Sequence, residues 1–253
     1  MKYDWSWSVF LDTSSDGVHS YLHNLGVGAL WTLGLSGTTA ICALVLGALI
    51  GVLRTARSPA LNAIGTVYVE VFRNIPLLVQ MFLWYFVLPE VLPKSLGQAI
   101  KGMPAPWNAF VPALLCLIFY ATARIGEQMR SGIQSLPKGQ YQAALALGLT
   151  PAQAYRRVVL PEAFRIMIPP LTSEFMGIVK YSSVAMTIGL LELTGQARAM
   201  QEFSFHIFEA FSAATLGYLL INGTLVLAMR ALERRLAVPG LIGAGSAGKG
   251  GRS

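Results

Sequence analysis

The chain has 253 residues, of which 54% are hydrophobic and only 12% charged, with a formal net charge of +7. A soluble domain carries about 25% charged residues. Here the apolar residues come in long runs and the mean hydropathy is +0.56, which excludes an ordinary soluble enzyme or nucleic-acid-binding domain and indicates a membrane protein.

Residues 1–24 hold Asp4, Asp12 and Asp16 and lack an apolar core, so they do not read as a secretory signal peptide. His19 and His23 lie one helical turn apart near Asp16. Two-ligand spacings of this kind are common by chance, and no metal site is expected in the chain. Residues 25–53 are uncharged for 29 positions, more than the roughly 20 needed to cross a bilayer. Within them Gly47 and Gly51 form a small-xxx-small pair that allows close approach of another helix. Arg54 and Arg57 follow at once. A second span is expected over residues 60–88, although it carries Glu70 and Arg73. A third, residues 103–123, is uncharged and holds one of the two cysteines, Cys116; the other, Cys42, is in the first span. Both read as small hydrophobes rather than as a disulfide framework. A polar stretch, residues 124–165, separates this span from a fourth, residues 166–190, which carries Glu174 and Lys180. A fifth, residues 210–229, is uncharged and ends in Arg230, Arg234 and Arg235. The tail after Pro239 is rich in Gly, Ala and Ser and reads as a flexible linker-like segment.

Five spans place the two termini on opposite sides. Arg54, Arg57, Arg130, Lys138, Arg156, Arg157, Arg234 and Arg235 then share one face, and Lys2, Lys94, Lys101 and Arg198 fall on the other. Cytoplasmic loops are enriched in Lys and Arg, so the richer face is cytoplasmic. The expected architecture is all-α and polytopic, with the N-terminus outside and the C-terminus inside. Its expected parts are an N-terminal segment 1–24, a transmembrane region 25–236 with a cytoplasmic loop at 137–161, and a tail 237–253.

That loop has its own structure. Residues 140–147 are strong helix formers, and Gly148 can take the left-handed conformation that ends a helix. Thr150-Pro151 reads as an N-cap followed by Pro at the first helical position. A second short helix, residues 151–159, is expected to stop before Pro161, with Ala152, Tyr155 and Val159 on one side and Arg156 and Arg157 elsewhere. Such a solvated hairpin has little to bury without a docking partner.

The spacing Gln142-Ala143-Ala144, Gly148, Val158, Leu160-Pro161 resembles the signature loop of permease subunits in bacterial ABC importers. Gln142 stands where that family usually has an acidic residue, and Val158 where it has isoleucine. The resemblance implies a type I ABC importer permease fold, in which this loop forms the coupling helix seated on a cytoplasmic ATPase. Arg156 and Arg157 are candidate contacts to that ATPase, and a solvated or headgroup role is the alternative. The segments around Glu70, Arg73, Pro76 and Gln80, around Glu127, Arg130, Pro137 and Gln140, and around Lys180 resemble the polar amino acid permeases. Asp4-Trp5-Ser6-Trp7, Pro89–Pro93 and Pro169–Glu174 look like the glutamate/aspartate subgroup. The resemblance therefore implies import of polar amino acids, glutamate and aspartate first, with glutamine, histidine, arginine or cystine as alternatives. It implies four kinds of partner: a second homologous permease subunit, an ATPase dimer holding ATP and Mg, a periplasmic binding protein and the lipid bilayer. No cofactor, catalytic residue or nucleic acid is implied for this chain.

Ionisable residues inside spans are costly and face protein or water. Arg73, Glu70, Glu174 and Lys180 are therefore candidates to line the substrate path, and mutual neutralisation is the structural alternative. Glu70 and Arg73, three apart, are expected to pair. Gly243 to Lys249 matches the first part of a phosphate-binding loop, but Gly250 follows where Ser or Thr is needed, and no strand precedes it. ATP hydrolysis is therefore expected on another chain. Two other classes are alternatives: a secondary transporter would show two homologous halves, and no internal repeat is visible; a membrane-embedded enzyme would need a catalytic constellation near an interface, and the sequence offers none.

Overall fold

The computed structural model describes residue 3 and residues 5–56 and 58–236. Lys2, Asp4, Arg57 and the tail from position 237, including the Gly243–Lys249 segment, lie outside the described residues. Eleven α-helices and no β-sheet occur among the described residues.

Helix α1 (Tyr21–Leu53) starts at Ser20, whose hydroxyl accepts from the His23 N–H at 3.3 Å, and ends as the Arg54 charge arrives. It crosses α6 (Trp107–Ser135) closely. A methyl group at Gly47 would lie 2.6 Å from Ile125 Cγ2, and one at Gly51 would overlap the Met129 side chain. Gly126 of α6 answers from the other side, 2.9 Å from Ile50 Cγ2 by the same measure. The expected small-residue pair is thus where two backbones meet. Apolar burial supplies little drive between helices in lipid, so this van der Waals fit is what holds the pair.

The second span is not one helix. Helix α2 (Pro59–Asn74) stops at Ile75, which is extended at φ −88°, ψ 128°. Pro76 causes this, because its ring excludes the helical conformation from the residue before it. The chain then turns by 101° into α3 (Leu77–Phe82), a π-helical turn (Leu83–Val87) and α4 (Leu88–Val91). Gln80 repairs the break by donating to the Phe72 and Ile75 carbonyls at 2.8 and 2.9 Å. After α5 (Lys94–Lys101) comes α6, which begins at Trp107 and runs twelve residues past the expected end at Ala123. Ala121, Ile125, Met129 and Ile133 continue an i, i+4 apolar face that is buried, and this carries Arg124, Glu127 and Arg130 into the helix rather than a loop.

After α7 (Lys138–Ala146) and α8 (Pro151–Ala154), the chain does not stop before Pro161. A π-helical turn (Tyr155–Val159) continues into α9 (Leu160–Tyr181) and a 3-10 segment (Ser182–Ile188). Proline has no N–H to give, and the wider turn brings the Leu160 N–H onto the Tyr155 carbonyl, so the helix passes the proline without ending. The extra residue also shifts the helical phase: Ala154 is fully buried while Ala152 is exposed.

Helix α10 (Leu193–Ser204) was not expected from the sequence. It is capped by Glu192, whose buried carboxylate accepts from the Thr194 and Gly195 N–H groups at 3.0 and 2.9 Å, from Tyr218 Oη at 2.7 Å and from Thr32 Oγ1 at 3.3 Å. One carboxylate therefore ties α10 to α1 and to α11 (Ile207–Leu236). The N-terminal segment packs on the helices. Val9 is buried with Tyr21, Leu25, Leu193 and Ala210, and Ser6 N–H donates to Glu209 at 2.8 Å. Among the described residues three helices are long and apolar enough to cross a membrane, or up to five if each bent pair counts as one span.

Candidate functional site

The hairpin at 138–160 is closed from within. Gly148 has φ +84°. Its N–H donates to the Leu145 carbonyl at 3.0 Å, and the Leu149 N–H reaches the Ala144 carbonyl at 3.2 Å. This is the paired bonding of a Schellman motif, which satisfies the last carbonyls of α7. Two residues on, Thr150 Oγ1 accepts from the Gln153 N–H at 3.3 Å while Gln153 Oε1 accepts from the Thr150 N–H at 2.9 Å, a complete capping box for α8. The two arms meet through Tyr141 and Tyr155, whose rings are 5.7 Å apart at 74°, over the buried Ala144, Ala154 and Val159.

Of the motif residues, Ala144 is turned inward and Ala143, Gly148 and Pro161 are exposed. Val158 and Leu160 are half-buried. Gln142 is exposed and lines a groove of about 660 Å³ shared with Arg54, Thr55 and Gln140. Arg156 and Arg157 are exposed and form no ion pair among the described residues. Sequence reasoning missed Leu147, which stands 83% exposed beside the Gly148 turn. A single exposed apolar side chain is common on protein surfaces, and here its place at the hairpin tip makes it available to a docking partner. Its signal was available: it is the last apolar residue before the glycine.

The charges within the spans sort into two groups. Glu127 sits between three arginines: Arg54, which it bonds directly, Arg130 of its own helix, and Arg73, whose Nη1 is 4.0 Å away. Arg73 therefore approaches α6 rather than Glu70, and Glu70 accepts instead from Asn74 at 3.0 Å. The expected Glu70–Arg73 pair does not form. Higher in α6, Arg124 Nε donates to Glu174 Oε1 at 2.6 Å, and Gln128 Nε2 to Glu174 Oε2 at 3.3 Å. Glu174 is 3% exposed. Lys180 is exposed on α9 and has no carboxylate partner among the described residues. Arg124 was missed because it stands one residue past the uncharged run and reads as loop; its i, i+4 relation to Tyr120 and Gln128 was the available clue.

A family model described as binding-protein-dependent transport system inner membrane component matches residues 43–238, which includes the hairpin and both charge groups. The chain belongs to this family. The glutamate/aspartate import permease protein GltJ of Escherichia coli (strain K12) is 45% identical over 244 residues, covering 96% of this chain and 99% of that one. The glutamine transport system permease protein GlnP of the same organism is 32% identical and covers 94% and 100%. Among solved structures, one titled as an amino acid ABC transporter with histidines matches at TM-score 0.71 and 30% identity, covering 85% of this chain and 95% of that one. An inward-facing methionine ABC transporter matches at TM-score 0.70 but 20% identity, which speaks to fold alone. The chain is a permease of the bacterial inner membrane with the ABC importer permease fold.

Proposed function

We propose that this permease forms one half of the membrane pathway of an ATP-driven importer for glutamate and aspartate. It is paired with a second permease subunit, energised by a cytoplasmic ATPase dimer and fed by a periplasmic binding protein. The observation that carries the coupling mechanism is the continuous helical rod from Pro151 through the π-turn and α9 to Tyr181. At about 1.5 Å per residue it is roughly 45 Å long. One end is the docking hairpin with Leu147 at its tip, and the other carries Glu174 and Lys180. A displacement of the hairpin by a closing ATPase therefore reaches the far end along one continuous helical path, whose weak points are the π-turn and the Pro169-Pro170 pair inside α9, and the spans rock between inward- and outward-facing states.

The likeness to the glutamate/aspartate import permease supports the substrate class. The positive charge of Arg54, Arg130, Lys138, Arg156, Arg157, Arg234 and Arg235 supports a cytoplasmic hairpin and C-terminus with the N-terminus outside. Arg73, Glu70 and Lys180 are held as path-lining candidates. Glu174 acts through Arg124. ATP and Mg are held by the partner ATPase.

The test is a reconstituted complex. Gly148→Asp is expected to insert normally and to lose stimulation of ATP hydrolysis by the loaded binding protein, because an aspartate strains the turn and adds charge at the docking tip. Normal stimulation would sink the coupling assignment. Competition of uptake by glutamate and aspartate, and not by arginine or histidine, is the result expected for the substrate class.

A further inference from the structure

Arg124 is set up as more than a neutralising partner. Its Nε is committed to Glu174 at 2.6 Å, while Nη1 and Nη2 have no hydrogen-bond partner among the described residues. Its side chain is 37% exposed against 3% for Glu174. Two aromatic rings flank the guanidinium, with the Tyr120 centroid at 5.7 Å and the Tyr181 centroid at 5.8 Å. Those rings meet edge to face, 5.4 Å apart at 90°. The Tyr181 ring packs closely over Gly177: a methyl group there would be 3.1 Å from Tyr181 Cε2 and 3.3 Å from Cζ, so the ring would have to shift by a few tenths of an ångström. Gln128 holds the second oxygen of Glu174, so the carboxylate that orients Arg124 is itself fixed from below.

Each part has a physical consequence. A guanidinium carries five N–H donors in a rigid fork, and here the Nη edge remains after Glu174 has taken Nε. Hydrocarbon cannot satisfy that edge, so it faces water or another protein surface. The two rings limit its tilt and dry its flanks, which strengthens any charge-assisted bond formed there. An edge of this shape accepts a planar, two-oxygen anion by a bidentate contact. Arg124 lies eleven residues from the end of α6 at Ser135, about 16 Å from it, well inside the span.

We propose that the Nη edge of Arg124 receives a carboxylate of the transported amino acid, with Glu174, Gln128 and Gly177 as positioning residues. This rests on the amino acid importer reading above and gives it a substrate contact.

The experiment is equilibrium binding of tritiated L-glutamate to the permease–ATPase complex in nanodiscs, without binding protein. Arg124→Lys keeps the charge and the Glu174 pair but loses the fork. Its dissociation constant is expected to rise about tenfold while its melting temperature stays that of the wild type. Gly177→Ala, which moves only the Tyr181 ring, is expected to weaken binding by a smaller factor. An unchanged dissociation constant in Arg124→Lys overturns the proposal. So does a loss of binding that follows a fall in melting temperature in both variants. Competition by L-glutamine assigns the group. If its affinity drops in parallel, Arg124 holds the α-carboxylate; if glutamate alone is affected, it holds the side-chain carboxylate; both results support the contact. If the wild type binds another amino acid and neither glutamate nor aspartate, the substrate class fails, and Arg124→Lys is then read with that amino acid. Binding of no amino acid by the wild-type complex overturns the site.

Discussion

A charged pair inside a bilayer is judged by what happens when one partner goes. Glu174→Ala leaves Arg124 facing a buried apolar gap, and Gln128 loses its acceptor. Breaking a fully buried pair costs about 3–5 kcal/mol; the open Nη edge of Arg124 lowers that to roughly 2 kcal/mol. The expected result is a lower melting temperature of the detergent-solubilised permease. Replacing both partners, as Arg124→Leu with Glu174→Leu, removes the unpaired charge and is expected to recover most of that temperature. Uptake is not expected to recover with it. Return of both together in the double variant would make the pair purely structural. At the hairpin, Thr150→Ala removes the reciprocal cap on α8 at a cost of about 1 kcal/mol. Because α8 runs directly into α9, this fraying is expected to appear as weaker stimulation of ATP hydrolysis at unchanged insertion.

At the scale of helices, the α1–α6 crossing makes a comparison within one helix possible. Gly47→Ala adds a methyl 2.6 Å from Ile125 Cγ2, whereas Gly37→Ala adds one with nothing within 4 Å. The first is expected to lower the melting temperature by several degrees, since overpacking costs about 1–3 kcal/mol, and the second to leave it unchanged. Equal effects would mean that the two helices do not pack through Gly47. The small-xxx-small spacing announced this crossing in the sequence, as uninterrupted apolar length announced α1, α6 and α11. What could not be read locally has physical causes. Pro76 could either kink a span or break it, and only the Gln80 bonds to the Phe72 and Ile75 carbonyls decide for a break. Pro161 signals a stop, yet the π-turn absorbs it. Helix α10 has a weak apolar pattern and depends on Glu192 reaching Thr32 and Tyr218, positions 160 and 26 residues away. The caps and the glycine turn of the hairpin were legible because they are local, while the passage of its second arm through Pro161 and the resulting shift of its buried face were not; nor was Arg124, because its partner lies 50 residues on.

For the whole molecule the decisive quantity is sidedness, since the rod from Pro151 to Tyr181 couples ATP to transport only if its hairpin end is cytoplasmic. The cysteines lend themselves to the measurement. Cys116 is buried and Cys42 is partly buried within α1, so neither offers an open thiol to a membrane-impermeant reagent, and a background with both changed to Ala removes what native signal remains. In that background Leu147→Cys introduces a thiol at a position 83% exposed, and Leu11→Cys one at a position 75% exposed in the N-terminal segment. A membrane-impermeant maleimide added to intact cells is expected to label Leu11→Cys and spare Leu147→Cys; opening the cells is expected to expose the second. The reverse pattern overturns the orientation drawn from Arg and Lys placement. Adding the purified ATPase to opened membranes extends the test from topology to mechanism. If the hairpin tip is the docking surface, labelling of Leu147→Cys falls when the ATPase binds, while labelling of Leu11→Cys, across the membrane, is unaffected. Labelling of Leu147→Cys that is indifferent to the ATPase would move the energy-coupling contact away from this hairpin.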